Sequence, residues 1–299
     1  MLPITADLEH GFPSLDGQTF VVTGANSGLG RVSASALAAH GAHVILAVRN
    51  SEKGEAAAKA MRGSAEVREL DLADLASVRA FAADLDGPID VLINNAGIMI
   101  PPLGYTVDGF ESQFGTNHLG HFALTNLLLP QIRSRVVTVS SLAHKQGAID
   151  FSDLNWQRRR YRAMSAYAQS KLANLLFTTE LDRRLAEAGT EVMATAAHPG
   201  LAATNLFHSS EGSPLRRGLG RAFTRLVAQR DTAGAAPTLN AAVADVPGNS
   251  YLGPGRAFET RGEPVFASRT PASLDQDVAR RLWETSEELT GVRFPESLR

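Results

Sequence analysis

No cysteine occurs anywhere in the 299 residues, so disulfide frameworks, thiolate-bound zinc, iron–sulfur clusters and thiol nucleophiles are all excluded. An excess of charge is also missing. The 29 Lys and Arg stand against 31 Asp and Glu for a net charge of −2, which offers a nucleic acid or an acidic membrane surface nothing to hold. No apolar run approaches the roughly 18 residues that a membrane-spanning helix needs. Residues 1–17 carry Asp7, Glu9 and two prolines and lack the positive start and apolar stretch of a signal peptide. They read as an N-terminal extension without a membrane anchor, and the chain is expected in the cytoplasm.

What is present is a regular alternation. From Thr19 to Ala197 the runs TFVVT, HVILAV, AEVREL, DVLINN, RVVTVS and EVMATAA are separated by longer Ala- and Leu-rich stretches. Apolar strands spaced by helix-length segments predict βαβ units, hence a parallel sheet with helices on both faces. A further strand near Ser250 to Leu252, with helices near Asp231 to Ala244 and Asp275 to Leu289, completes the pattern. The expected fold is α/β: a single doubly wound, mainly parallel, Rossmann-type domain of about seven strands over residues 18–299. Right-handed crossovers bring the carboxyl ends of the strands to one edge, where ligands bind. Residues 144–165 and 201–230 are expected to supply the substrate-binding elements.

The first strand runs into Thr23-Gly24-Ala25-Asn26-Ser27-Gly28-Leu29-Gly30 and then a helical pattern. Glycines there allow positive φ and close approach of backbone N–H groups to phosphate, and the helix N-terminus adds positive potential. The competing reading is an ordinary tight turn. The second strand ends at Val48-Arg49, where an NAD site would place Asp or Glu on the ribose hydroxyls. Arg49 suits the 2′-phosphate of NADP instead, or is a solvated loop arginine. Asp71 ends the third strand, placed either for adenine or as a helix N-cap.

Tyr167 and Lys171 open a long helical pattern, and a spacing of four places both side chains on one face. An ammonium beside a phenol favours phenolate, so the expectation is a Tyr167 pKa lowered toward neutrality, fit for acid/base work. With only four tyrosines in the chain, a chance surface pair is the weaker reading. Ser140 and Ser141 end the fifth strand, where either a substrate-facing hydroxyl or a strand stop would serve. Asn117 lies in the helical pattern after the fourth strand, as a water holder or a structural amide. His118, His121, His144 and His198 read as packing or hydrogen-bonding groups, and no metal site is expected. The basic run Arg158-Arg159-Arg160-Tyr161-Arg162 reads as a solvated basic face, with an anion-binding lid as its alternative.

In order, TGANSGLG at 23–30, NNAG at 94–97, the serine pair at 140–141, YAQSK at 167–171 and HPG at 198–200 resemble the short-chain dehydrogenase/reductase superfamily. NHLGHF at 117–122 and VSSLAH at 139–144 resemble its retinol-dehydrogenase-like branch. The resemblance implies a catalytic set of Ser141, Tyr167, Lys171 and Asn117, with Ser141 preferred over Ser140. Tyr167 would exchange a proton with the substrate oxygen, Lys171 would lower its pKa and bind the nicotinamide ribose, Ser141 would orient the substrate, and Asn117 would hold a relay water.

The resemblance also implies cofactor contacts. Gly24, Ser27, Gly28, Leu29 and Gly30 would lie near the phosphates, and Asp71 and Leu72 near adenine. Asn95, Ala96 and Gly97 would lie near the ribose, Pro199 and Thr204 near the carboxamide, with Tyr167 and Lys171 touching the cofactor as well. The branch's cofactor is NADP(H), in agreement with Arg49. The expected activity is hydride transfer between NADP(H) and an alcohol or carbonyl group of a small molecule. A medium-sized, largely apolar substrate is suggested by Ile98, Met99, Ile100, Leu201, Leu206 and Phe207. Homodimers or homotetramers are implied, through the long helices after Asp108 and Ala166. A catalytically inactive NADP(H)-sensing binding protein is the alternative. The 26 residues from Ser141 to Tyr167 exceed the family's usual spacing, so Phe151 to Met164 reads as an inserted, partly helical flap.

Overall fold

The computed structural model describes residues 12–200 and 231–298. The expected substrate-wall segment 201–230, with Thr204, Leu201, Leu206 and Phe207, lies outside the described residues, as do residues 1–11. The elements follow as β1 (Thr19–Thr23), α1 (Gly28–Ala39), β2 (His43–Val48), α2 (Ser51–Lys59), β3 (Ser64–Glu69), α3 (Leu75–Asp84) and β4 (Ile89–Asn94). Next come α4 (Ser112–Phe114), a π turn (Gly115–Leu119), α5 (Gly120–Leu128), β5 (Ile132–Val139), α6 (Ala163–Glu187) and β6 (Met193–Ala197). The chain closes with α7 (Asp231–Val243), β7 (Tyr251–Arg256), β8 (Arg261–Phe266) and α8 (Gln276–Thr290).

The strands form one sheet in the order β3-β2-β1-β4-β5-β6-β7-β8. All neighbours pair in parallel except β7 with β8. The doubly wound architecture is as expected, with eight strands in place of about seven. The additional strand, Arg-Gly-Glu-Pro-Val-Phe, is an antiparallel edge whose residues are mostly exposed. An edge strand tolerates Pro and Gly and needs no apolar run, which is why hydropathy does not announce it.

Two apolar layers sandwich the sheet. On one face Ala34 and Leu37 of α1 and Ala235 and Leu239 of α7 pack against Phe20, Val22, Val44 and Leu46. On the other, Val78 and Phe81 of α3, Phe122 and Leu124 of α5, and Phe177 and Leu181 of α6 meet Val21, Ile45 and Leu92. Helix α8 adds a third tier. Its Asp275 cap accepts N–H bonds from Asp277 and Val278, and Gly291 closes it at φ 63°. Its buried stripe, Ala279, Leu282, Trp283, Ser286 and Thr290, has the three- and four-residue spacing of a one-sided helix. That stripe covers α6, with Trp283 against Phe122 and Phe177. An assembly through α5 and α6 must therefore use whatever surface α8 leaves uncovered.

Candidate active site

The strand order reverses between β1 and β4, so Thr23 and Asn94 end side by side at the switch point, where an α/β sheet opens a crevice. The hydroxyl of Thr23 knits this place together. It accepts N–H bonds from Asn95 and Ala96, both at 2.9 Å, and Asn95 Nδ2 donates to the Thr23 carbonyl at 2.7 Å. Its own proton is left for His121 Nε2 at 2.9 Å. His121 Nδ1, which then carries the ring proton, donates to the carbonyl of Asn117 at 3.0 Å. Burial pushes the His121 imidazole down to about 4 and keeps it neutral, as this arrangement requires.

The glycine loop is built for close backbone approach. Gly24 and Gly28 sit at φ 67° and 52°. A Cβ on Gly30 would stand 2.6 Å from the Gly24 carbonyl and 2.4 Å from Asn95 Nδ2, so the loop folds onto itself and no side chain fits. The α1 cap, Ser27, makes no side-chain bond to the helix, so the first-turn N–H groups keep their capacity for an anion. The residues present therefore fit a dinucleotide's phosphates. Arg49 stands exposed beyond β2, beside Asn50, which caps α2. The N-cap of α3 is Asp74, accepting from Ala76 and Ser77, so the competing cap role does not fall to Asp71. Asp71 holds Ala73 N at 2.9 Å in a local turn, and Leu72 next to it is buried.

The four candidate catalytic residues are brought together. Asn117 sits in the π turn and is fully buried. Its Oδ1 accepts from Ile98 N at 2.8 Å, while Nδ2 donates to the Ile98 carbonyl at 3.0 Å and to Ser170 Oγ at 2.9 Å. A Cβ on Gly97 would lie 3.2 Å from Asn117 Oδ1 and 3.5 Å from Lys171 Nζ. The loop 95–98 thus runs directly over the lysine. Lys171 Nζ donates to the Val139 carbonyl at 3.1 Å and lies 5.7 Å from the Tyr167 ring centroid. The two serines divide. Ser140 is buried and donates to the Lys171 carbonyl at 2.8 Å, whereas the half-buried Ser141 accepts Ala143 N at 3.2 Å and lies close enough to the Tyr167 phenol to favour its ionised form.

One expectation needs correction. Burial pushes the Tyr167 phenol up to about 12, with the Ser141 hydrogen bond pulling the other way, and burial pushes the Lys171 ammonium down to about 8. The lysine does not lower the phenol into the neutral range here, because both groups have left water and burial outweighs the pull of an ammonium 5.7 Å from the ring centroid. A second correction concerns the insert. Of the insert 151–164 only Ala163 and Met164 are helical, as the first residues of α6; residues 151–162 contain no helix. They are tied instead by Asp153, whose carboxylate accepts the N–H groups of Gln157, Arg158 and Arg159. Of the basic run, Arg158, Arg160 and Arg162 are exposed, while Arg159 stacks 3.7 Å over Trp156.

The other histidines are spoken for by neighbours. His118 Nε2 meets Ser286 Oγ at 3.0 Å, and His144 Nδ1 meets the Ser141 carbonyl at 2.7 Å. His198 Nδ1 accepts Gly200 N at 3.2 Å, and a Cβ on Gly253 would stand 1.9 Å from His198 Nε2. Overpacking of this kind costs about 1–3 kcal/mol, so Gly253→Ala is expected to lower the unfolding free energy by that amount, read as a lower urea midpoint at an unchanged slope. An unshifted midpoint would show that β7 yields freely beside Pro199. The parts that sequence reasoning missed are Ser170, Glu111, Gln113 and the hub role of Thr23. Thr23, inside the glycine motif, and Ser170, inside YAQSK, lay in motifs already visible; Glu111 and Gln113 carried no signal.

Comparison with known proteins agrees with this geometry. A family model described as short chain dehydrogenase matches residues 18–213. Retinol dehydrogenase 13 of Homo sapiens is 46% identical, over 94% of this chain and 87% of its own length. Retinol dehydrogenase 14 of Mus musculus is 42% identical, over 93% and 87%. A solved protein of Mycobacterium Paratuberculosis shares 53% identity at a TM-score of 0.82, covering 95% of this chain and 97% of that one.

Proposed function

Because this chain belongs to the short chain dehydrogenase family, in its retinol-dehydrogenase-like branch, we propose that it is an NADP(H)-dependent oxidoreductase of a medium-sized, largely apolar alcohol or carbonyl compound. Hydride transfer between a nicotinamide cofactor and an alcohol or carbonyl carbon is the family's chemistry. When bound, the nicotinamide supplies or takes the hydride. The observation that carries the reading is the buried Tyr167 phenol, one helical turn from a buried Lys171 whose Nζ lies 5.7 Å from its ring centroid, at the carboxyl edge of the sheet.

Tyr167 gives its proton to a carbonyl oxygen or takes one from an alcohol, and Ser141 holds that oxygen. Lys171 supplies positive charge beside the loop 95–98, and Asn117 fixes that loop through both carboxamide atoms. Gly24, Ser27, Gly28, Leu29 and Gly30 would hold the phosphates, Asn95, Ala96 and Gly97 the ribose, and Asp71 and Leu72 the adenine.

NADPH oxidation across a panel of apolar aldehydes and ketones tests this reading. Turnover of at least one supports it, whereas tight NADPH binding with no turnover of any would favour a nucleotide sensor. Arg49 tests the cofactor preference. Loss of a charge-assisted hydrogen bond to phosphate is worth about 1.5–3 kcal/mol, so Arg49→Glu should raise the KM for NADPH at least tenfold and leave that for NADH nearly unchanged. An equal change for both cofactors would remove Arg49 from the site.

A further inference from the structure

Three residues past Gly97, Ile100 stands at φ 56°. A β-branched side chain enters that left-handed region only where its surroundings hold it there. The holder is Gln113, whose carboxamide is fully used. Its Oε1 accepts Ile100 N at 2.9 Å, and its Nε2 donates to the Tyr161 hydroxyl and to the Ala163 carbonyl, both at 2.9 Å. Ala163 opens α6, and Tyr167 lies one turn further on. Gln113 therefore links the loop that crosses Lys171 to the helix that bears Lys171 and the phenol.

Tyr161 completes the arrangement from the insert. Its hydroxyl has one proton, shared between Glu111 Oε1 at 3.1 Å and the Pro101 carbonyl at 3.3 Å. Glu111 is fully buried, and its carboxylate also accepts the N–H groups of Gln113 and Phe114 at 3.0 and 2.8 Å. The insert is itself anchored: Asn155 Oδ1 accepts Glu111 N at 2.9 Å, Gln169 Nε2 donates to the Leu154 carbonyl at 3.0 Å, and Arg159 donates to Gln169 Oε1 at 2.8 Å. The Tyr161 ring meets the buried Trp156 edge-on at 5.7 Å. Nothing in this segment is shaped like a hinged cover.

We propose that residues 151–162 form a fixed clamp in which the Tyr161 hydroxyl, through Gln113, positions the wall 98–102 beside the reacting group and so selects substrates by shape. Tyr161 is a positioning residue on this view, and the proposal rests on the oxidoreductase reading above. It gives the long Ser141 to Tyr167 interval a purpose: the insert braces a strained wall that a shorter connection would leave unsupported.

Tyr161→Phe removes one oxygen and keeps the ring on Trp156. A lost hydrogen bond of ordinary strength corresponds to about a 3–10-fold effect, so amide exchange at Ile100 should accelerate by that factor. The KM for the preferred carbonyl compound should rise similarly, with kcat within about twofold and the KM for NADPH unchanged. The kcat/KM ratio between long and short substrates should narrow. Gln113→Met should reproduce these changes, and the double variant should fall short of the sum of the two, since both act on one wall. Unchanged exchange at Ile100 would overturn the clamp, as would a uniform loss of kcat at constant KM. If the unaltered protein turns over no carbonyl compound, the oxidoreductase reading fails while the exchange measurement still judges the clamp.

Discussion

Tyr167→Phe should lower kcat by about 10²–10⁴-fold, the range for removal of a positioned proton donor, while NADPH binding stays within about threefold. The phenol is nearly buried and the change deletes one oxygen, so the substitution removes a reacting proton and little packing. Direction of reaction should matter as well. Burial holds the phenol protonated, up to about 12. A protonated phenol can donate to a carbonyl oxygen without prior titration, whereas alcohol oxidation needs it ionised first. Reduction should be level across the neutral range, and oxidation should climb as pH rises toward the alkaline side. Retained turnover in the phenylalanine variant, or parallel pH profiles in the two directions, would remove Tyr167 from its role.

Trp283→Ala is the second large effect, and it falls on stability. The indole is 2% exposed. It stacks on Phe177 at 5.7 Å and 8° and meets Phe122 edge-on at 4.9 Å, while Phe294 lies at 6.2 Å and the Arg184 guanidinium at 4.7 Å. Its Nε1 donates to Glu287 Oε1 at 3.0 Å. Truncating a buried tryptophan costs about 3–5 kcal/mol, read as a lower urea midpoint. The protein that remains folded should keep its kcat, because Trp283 packs beside Phe177, well along α6 from Tyr167. A loss below about 1 kcal/mol would mean that the neighbours collapse into the space left behind.

The sheet could be read from the chain because its central parallel strands are buried on both faces and show as unbroken apolar runs, such as HVILAV. The edge strand Arg261–Phe266 escaped that logic, with Gly262, Glu263 and Pro264 in its middle. Tyr167 and Lys171 were legible because four residues along a helix set their proximity. The balance of their charges was not, because it depends on how deeply the folded chain buries both groups. Gly115–Leu119 reads as helix, and only the structure shows the π turn at Asn117. Glu111 was invisible for a similar reason: its burial is made by Asn155 and Tyr161, which arrive from a distant stretch. Ser140 and Ser141 look alike in the sequence, and which one faces inward is settled by where the strand ends.

The third tier formed by α8 also bears on how the molecule is made. During synthesis Phe122 and Phe177 leave the ribosome well before Trp283, so the helices that carry them must wait with an oily flank uncovered. The sheet can assemble in that interval, but its outer seal arrives late. The nascent chain is therefore most open to chaperones, or to sticking to its neighbours, just before the last helix emerges.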